Sequence, residues 1–482
     1  MHRMRTPTTP TGDATTDHVG ARPLPPWLSQ HTSNGLRLTS VLLGVVLVPL
    51  VTFSPSASSQ TPSCGAPERT PLSGAYRAAD GAVMSILPAG TQGQWRITHF
   101  DSGTSHRLHP DSATSFHSAS DLESQQPVAF RYAFKLGQSG LAESLVIETM
   151  TEPPTMARRV VLVDRPAIIK SGDIELHGRL TLPPSGQAPF KTVIFVHGSD
   201  PVPSAGLEWL PHLLASNGIA TLVFDKRGTG CSKGQYVQHF DVLANDVVAA
   251  ARWLKAQPEI DPGQIGLAGF SQGGWVAPLA AVKDSSIKFV AVGYGLAMSM
   301  ADEDRLEAPL KLKAQGVDDA SVVEFQALNT TLHKLAREGF KDWSDFEQQV
   351  QRAQDRPWFA VASQQQSWLG VTVQMGLAKA KIAAPQMFQH FFQPFYDPVP
   401  TLEKLDIPML WLMAGRDIEA PPGPTLEVLA RLRRQGKPLS VLVFPNADHG
   451  MQDFEVHAGK RVRTKYADRY FSTLLKWLQD PK

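Results

Sequence analysis

The sequence predicts an α/β fold: a doubly wound, mostly parallel sheet with an inserted helical cap, preceded by a β-rich N-terminal module. Three observations carry this reading. From Ile174 onward, short apolar runs alternate with segments whose apolar residues recur at helical spacing, the pattern of a layered α/β domain. More than a hundred residues separate the apolar run Phe289-Val290-Ala291-Val292-Gly293 from the next at Met409, far beyond what a crossover needs, so an insertion over about residues 296–395 is expected. Gly269-Phe270-Ser271-Gln272-Gly273 lies between a strand-like and a helix-like segment, as a strand-to-helix elbow presenting a serine requires.

Residues 1–60 read as an export signal with an extended n-region. Residues 1–37 are rich in Thr, Pro, Arg and His; an apolar run follows at residues 41–53, and residues 54–60 are small and polar. The apolar run contains a proline and falls short of the ~20 residues of a spanning helix. The mature protein is therefore expected to be secreted or periplasmic, without stable membrane association, and to begin between about residues 57 and 61. The alternative is an uncleaved N-terminal anchor.

Residues 70–155 read as the β-rich module. Strands are expected at Tyr76-Arg77, Val83-Met84-Ser85-Ile86-Leu87, Gln94-Trp95-Arg96-Ile97-Thr98-His99-Phe100 and Pro127-Val128-Ala129-Phe130-Arg131-Tyr132, separated by Asp-Gly, Gly-Thr and Ser-Gly turn signals. The module contains no candidate nucleophile or ligand cluster. The main domain, residues 156–482, is expected to open with an antiparallel pair formed by residues 158–163 and 174–182. Val193-Ile194-Phe195-Val196 is the next strand and runs into His197-Gly198-Ser199. After the strand ending at Phe224, Leu243, Val247, Ala250 and Leu254 mark a helix behind Asp241 as N-cap. Gln264-Ile265-Gly266-Leu267-Ala268 is a buried strand after the turn Asp261-Pro262-Gly263, and a small-residue helix starts at Gly274. In the insertion, residues 321–338 and 344–352 read as helices with solvated charged faces. The apolar run at residues 387–396 is either core of the cap or lining of a pocket over the serine. Strands at residues 408–413 and 439–445 follow, and Tyr470, Leu474 and Leu478 mark a last helix.

A serine hydroxyl is a weak nucleophile at neutral pH, so Ser271 demands a base, an orienting carboxylate and an oxyanion hole. Asp417 in Gly415-Arg416-Asp417 and His449 in Asp448-His449-Gly450 each follow a strand. Neither His390 nor His457 immediately follows one, and Asp448 is too close in sequence to fold back onto its neighbour's Nδ1. The N–H groups of Ser199 and Gln272 are the expected oxyanion donors.

The order Ser271, Asp417, His449, together with Phe224-Asp225-Lys226-Arg227-Gly228-Thr229-Gly230-Cys231-Ser232 and Tyr396-Asp397-Pro398, resembles the α/β-hydrolase superfamily from about Val160 to the end. Within it, the likeness is to bacterial esterases and prolyl-aminopeptidase-like serine hydrolases. Many esterase relatives carry Gly where Asp200 stands, and an acidic side chain there would narrow or repel part of an acyl pocket. The resemblance implies an exported serine hydrolase that cleaves carboxylic esters through an acyl-enzyme. The alternatives are an exo-acting serine peptidase or amidase, whose cap would need an acidic or polar group for a free amine, and an inactive hydrolase fold acting as a binding protein.

Other chemistries find little purchase. With 46 basic and 45 acidic residues the formal charge is +1, which offers no field for nucleic acid, so a small-molecule ester or amide is the expected partner. No phosphate loop, His-Glu-x-x-His or Cys-x-x-Cys is present, so neither cofactor nor metal is expected. Gly228-x-Gly230-x-x-x-Gly234 is spaced one residue too long for a dinucleotide site, and Asp225 and Arg227 are expected to serve structure. The two cysteines, Cys64 and Cys231, exclude a disulfide framework, and their separation gives no geometric support to a bridge between them.

Overall fold

The computed structural model describes residues 70–482 apart from 90–93, 125, 185–187, 205–208 and 458–459. The expected export segment and Cys64 lie outside the described residues. Eight antiparallel strands close into a barrel: β1 (Gly74–Ala78), β2 (Val83–Pro88), β3 (Trp95–His99), β4 (Ser105–Pro110), β5 (Ser115–Ser118), β6 (Phe130–Leu136), β7 (Ala142–Thr149) and β8 (Thr155–Arg159). Its interior is filled by side chains that alternate along the strands, among them Tyr76, Ile86, Ile97, Leu108, Tyr132 and Leu145, each buried.

Two sequence expectations need correction here. Strands β4, β5 and β7 were not anticipated, and β4 shows why: Ser105-His106-Arg107-Leu108-His109-Pro110 turns His106 and Leu108 inward, and a histidine at one of two inward positions erases the apolar alternation. Arg158 and Arg159, expected in the opening pair of the main sheet, belong to the barrel, where β8 pairs with both β1 and β7. The Arg159 guanidinium donates to the carbonyls of Pro71, Ser73 and Ala142 and to the Tyr76 hydroxyl, sealing one end of the closure.

The main sheet comprises β9 (Val163–Ser171), β10 (Ile174–Leu182), β11 (Phe190–Val196), β12 (Ala220–Phe224), β13 (Ile260–Phe270), β14 (Ile287–Gly293), β15 (Met409–Ala414) and β16 (Leu439–Phe444). Its order is β16-β15-β14-β13-β11-β12-β10-β9. β9 and β10 pair antiparallel, as do β10 and β12, and the remaining neighbours are parallel. Strand alternation divides the core into two layers. Ile194, Leu267, Val292 and Trp411 face α2 (Phe240–Lys255) and α3 (Gly273–Lys283), whereas Phe195, Ala268, Phe289 and Leu412 face α1 (Leu210–Ser216) and, at the chain end, Tyr470 and Leu474. Helix α2 starts one residue before the expected cap: His239 is its N-cap, and Asp241 instead accepts a hydrogen bond from Gln393 and pairs with Lys283.

Between β14 and β15 lie α4 (Met300–Ala314), α5 (Asp319–Arg337), α6 (Ser344–Ala353), α7 (Pro357–Ala362), α8 (Trp368–Met375) and α9 (Leu377–His390), followed by α10 (Val399–Lys404). Ser299 and Asp318 cap α4 and α5 by accepting the N–H groups of Asp302 and Ser321. These helices have a core of their own, built on Phe325, Trp343, Phe346 and Trp358. The apolar run at residues 387–396 forms the seam: Phe388 packs into the inserted core, and Phe392 and Tyr396 pack onto the core of the main sheet. No helix among the described residues is long and apolar enough to cross a membrane.

The chain ends with α11 (Pro422–Arg434), the hairpin β17 (Gln452–His457) and β18 (Lys460–Tyr466), and α12 (Tyr470–Gln479). The barrel docks on the α1 and α12 side. Phe100 inserts between Trp209 and Phe471 with ring centroids 5.9 and 5.1 Å away, and Ser85 bonds the His212 Nδ1 at 2.6 Å. The turn after β3 also reaches the hairpin, because the Tyr466 N–H donates to the Gly103 carbonyl at 2.8 Å.

Candidate active site

The site lies at the carboxyl ends of β11, β13, β15 and β16, where ligands bind in open α/β sheets. Ser271 occupies the elbow between β13 and α3 with φ of 51°, a left-handed conformation rare for a residue with a Cβ. The flanking glycines explain how it persists. A Cβ on Gly269 would overlap the Gly273 carbonyl oxygen, and one on Gly273 would overlap the Val196 carbonyl oxygen, so only glycine lets α3 pass this close to β11 and β13. The Ser271 N–H donates to the Gly293 carbonyl at 3.1 Å, which fixes the elbow to β14.

The structure brings the three predicted side chains together. Ser271 Oγ lies 3.2 Å from His449 Nε2, and His449 Nδ1 lies 2.8 Å from Asp417 Oδ2. Asp417 is 4% exposed, and its other oxygen accepts the N–H groups of Glu419 and Ala420, both at 2.8 Å. A carboxylate tied by three hydrogen bonds cannot turn away from the imidazole. The Tyr294 ring meets His449 edge-on at 4.8 Å and limits its rotation on the other side. Asp448 pairs with Arg463 at 3.1 Å, and His457 with Glu455 on the exposed hairpin, so neither rival joins the site.

Burial pulls the His449 pKa down, but the Asp417 hydrogen bond and charge, with Glu419 and Glu307 beyond, outweigh it and hold the imidazole above its ordinary value. These outer carboxylates were not picked out from the sequence. Glu303 and Glu307 stand at i, i+4 spacing on α4, in the insertion. Burial, and then the charges of Glu307 and Asp304, push Glu303 well above the usual carboxylate range. Burial raises Glu307 to about 7 even though it pairs with Lys311. A cavity of about 90 Å³ opens beside His449, lined by Ile418, Glu419, Asp448 and Arg461.

The segment His197-Gly198-Ser199 passes the nucleophile where expected: a Cβ on Gly198 would stand 3.6 Å from Ser271 Cβ. Gln272, the other expected donor, is the N-cap of α3. Among the described residues, no backbone or side-chain acceptor takes up the N–H of Ser199 or of Gln272. Asp200 is exposed, and its carbonyl accepts from the Lys226 ammonium at 3.0 Å. Burial pulls Lys226 down to about 7, and the Asp200 charge pushes the other way. Asp225 and Arg227 serve structure. Asp225 accepts the N–H groups of Ser204 and Cys231, and Arg227 grips the buried Asp246 through two hydrogen bonds of 2.8 and 2.6 Å. Among the described residues, no group of three or more His, Cys, Asp or Glu side chains is placed to hold a metal ion.

Residues 171–451, more than half of the chain, match the model of the X-Pro dipeptidyl-peptidase (S15) family. Among curated proteins, the thiohydrolase aneE of Aspergillus aculeatus is 34% identical over 119 residues, 24% of this chain and 36% of that protein. An uncharacterised 31.7 kDa protein of Escherichia coli is 30% identical over 108 residues, 22% of this chain and 38% of its own length. The matched stretches thus span little more than a third of these relatives. Among solved structures, an acylaminoacyl peptidase of Pyrococcus horikoshii aligns over 81% of this chain and 54% of its own, with 15% identity and a TM-score of 0.42. An esterase of Pyrococcus furiosus aligns over 66% and 88%, with 18% identity and a TM-score of 0.41.

Four outcomes are expected from this geometry. Ser271→Ala abolishes covalent labelling by a fluorophosphonate, and Asp417→Asn lowers kcat by roughly 10⁴-fold because the imidazole then adopts the wrong tautomer; wild-type turnover in the folded Asp417→Asn protein would place the orienting carboxylate elsewhere. If His449 acts as the base, it must be neutral to do so, and kcat/KM rises with pH through a midpoint above the ordinary histidine value. Glu419→Gln removes one of the charges that raise it and shifts that midpoint to lower pH, measurable from pH–rate profiles of the two proteins.

Proposed function

Because the chain belongs to the X-Pro dipeptidyl-peptidase (S15) family, we propose that it is a serine hydrolase that transfers an acyl group to water through a covalent acyl-enzyme, with carboxylic esters as its substrates. The observation that carries this reading is the relay from Ser271 through His449 to Asp417, with links of 3.2 and 2.8 Å, built on a strained elbow. Ser271 Oγ attacks the carbonyl carbon as its proton passes to His449 Nε2. Asp417 stabilises the imidazolium, and the N–H groups of Ser199 and Gln272 receive the negative charge that develops on the carbonyl oxygen. Collapse of the tetrahedral intermediate expels the alcohol, which takes the proton from His449. Water then enters by the same route in reverse and releases the acid.

A second reading, an exo-acting peptidase or amidase, uses the same triad and is favoured by a specific observation. Glu303 and Glu307 lie on α4 in the insertion, and burial raises both carboxyls even though Lys311 pairs with Glu307, so a substrate amine would add positive charge beside buried acidic groups. The two readings separate by kinetics. Under the ester reading, short-acyl nitrophenyl esters are turned over with kcat/KM far above that of aminoacyl and prolyl amides, and Glu303→Gln changes ester turnover little. Under the peptidase reading, amides with a free amine outcompete their N-blocked counterparts, and Glu303→Gln erases that preference.

The protein acts, in this proposal, after export. The composition of residues 1–60 supports a compartment outside the cytoplasm. N-terminal sequencing of the protein from its native host is expected to read from between about residues 57 and 61. Recovery from the cytoplasm with Met1 intact would overturn export.

A further inference from the structure

We propose that Lys226 and Tyr236 form a clamp that sets the direction of the Ser199 N–H, and that Gln238 ties this clamp to the inserted helices. The proposal rests on the reading of Ser199 as an oxyanion donor. It makes Lys226 and Tyr236 positioning residues of the reaction, Lys226 lying 28 and 26 positions along the chain from the two carbonyls it holds and Tyr236 37 from its own.

The carbonyls of three consecutive residues are gripped by these two side chains. The Lys226 ammonium donates to the carbonyls of Gly198 and Asp200, and the Tyr236 hydroxyl donates to the carbonyl between them, that of Ser199. In a trans peptide the carbonyl and the following N–H point to opposite sides. Holding the Gly198 carbonyl toward Lys226 therefore directs the Ser199 N–H away from it, in a segment that passes Ser271 at van der Waals distance. A loop without such anchors would let this peptide rotate, and an oxyanion donor acts only when its direction is fixed before the charge appears.

A lysine that is 1% exposed is an unusual choice for a mere loop tether, since burying an ammonium is costly unless every donor finds a partner. Here the partners are the two carbonyls and the Tyr236 ring, whose centroid lies 5.1 Å from Nζ. Tyr236 is itself held. Gln238 Nε2 donates to its hydroxyl oxygen at 3.0 Å, and the Phe391 ring packs against it at 5.6 Å. The Gln238 N–H donates to the Phe391 carbonyl at 2.9 Å, and Gln238 forms a parallel bridge with Phe392. A continuous set of hydrogen bonds thus runs from the end of α9 to the Ser199 carbonyl, one peptide beyond the Ser199 N–H, and the Tyr236 ring packs against the Lys226 ammonium that holds the peptide carrying that N–H.

The test compares Lys226→Met, Tyr236→Phe and Gln238→Ala with wild type in the mature protein. Lys226→Met is expected to lower kcat for a nitrophenyl ester by roughly 10²–10³-fold, the loss seen when an oxyanion donor is removed, with KM changed far less. A trifluoromethyl ketone, whose tetrahedral adduct places its oxygen where the oxyanion forms, is expected to lose affinity by the same factor. Tyr236→Phe and Gln238→Ala move both quantities in the same direction by smaller factors. A role confined to stability would lower the melting temperature and leave the ratio of ketone affinity to KM unchanged, which would overturn the proposal. Should Lys226→Met fail to fold, the half-buried Tyr236→Phe decides: parallel losses in kcat and ketone affinity support the clamp, and wild-type values for both overturn it. Ser271→Ala serves as the control. An inactive Ser271→Ala protein beside fully active clamp variants refutes the clamp alone, whereas an active Ser271→Ala protein refutes the hydrolase reading itself.

Discussion

The passage of α3 over the ends of β11 and β13 is the contact on which the rest of the site depends. It brings the Gly273 backbone against the Val196 carbonyl and the Gly269 backbone against that of Gly273, distances that no side chain permits. Once the helix lies there, Ser271 has no choice but the left-handed conformation, and its hydroxyl stands proud of the sheet. His197 and Gly198 continue directly from Val196, so the same contact that raises Ser271 also brings the segment of the proposed oxyanion donor beside it. Asp417 and His449 then need only follow their own strands to the same edge, which the parallel register of β14, β15 and β16 ensures.

Around that edge the electrostatics are arranged in two shells of opposite character. Asp417 is fully ligated and holds His449 in one tautomer. Glu307 and Glu419 lie further out, where they raise the imidazole's proton affinity, and burial makes ionisation of Glu307 and of its neighbour Glu303 costly. Such a surrounding favours the protonated imidazole, the form His449 takes in the proposed reaction.

The parts of the molecule that were legible in the sequence share a property: local pattern and tertiary role coincide. The elbow, the strand before Asp417 and the strand before His449 are apolar runs ended by glycine or proline, and each delivers its functional residue within a few positions of its end. Tyr470, Leu474 and Leu478 likewise kept helical spacing because one face of α12 is buried against one layer. The barrel was half legible, since β5 and β4 carry serine and histidine where an apolar pattern was sought, and β8 looked like the start of the next sheet because only tertiary pairing assigns it to the barrel. The clamp could not be read at all. Lys226 sits in a charged turn beside Asp225 and Arg227, and its partners are main-chain oxygens, which leave no mark in a sequence. Glu303 and Glu307 did leave one, their i, i+4 spacing, but a helix tells which residues share a face and not what that face looks at.

The bond between Tyr466 and Gly103 has a bearing on how separable the barrel is. The hairpin that begins just after His449 runs out through β17, returns through β18, and is fastened at its end to the turn after β3; the Ala467 N–H then bonds back to the Met451 carbonyl, two residues from the imidazole. The loop that carries His449 is therefore closed by a seam with another module. Shuffling of modules between genes is easiest where nothing but a linker joins them, and here a transplanted main domain would arrive with one end of its histidine loop unmoored. The barrel and the hydrolase sheet are thus expected to be inherited as a pair, and a lineage that loses the one would have to re-anchor the other before it could keep its chemistry.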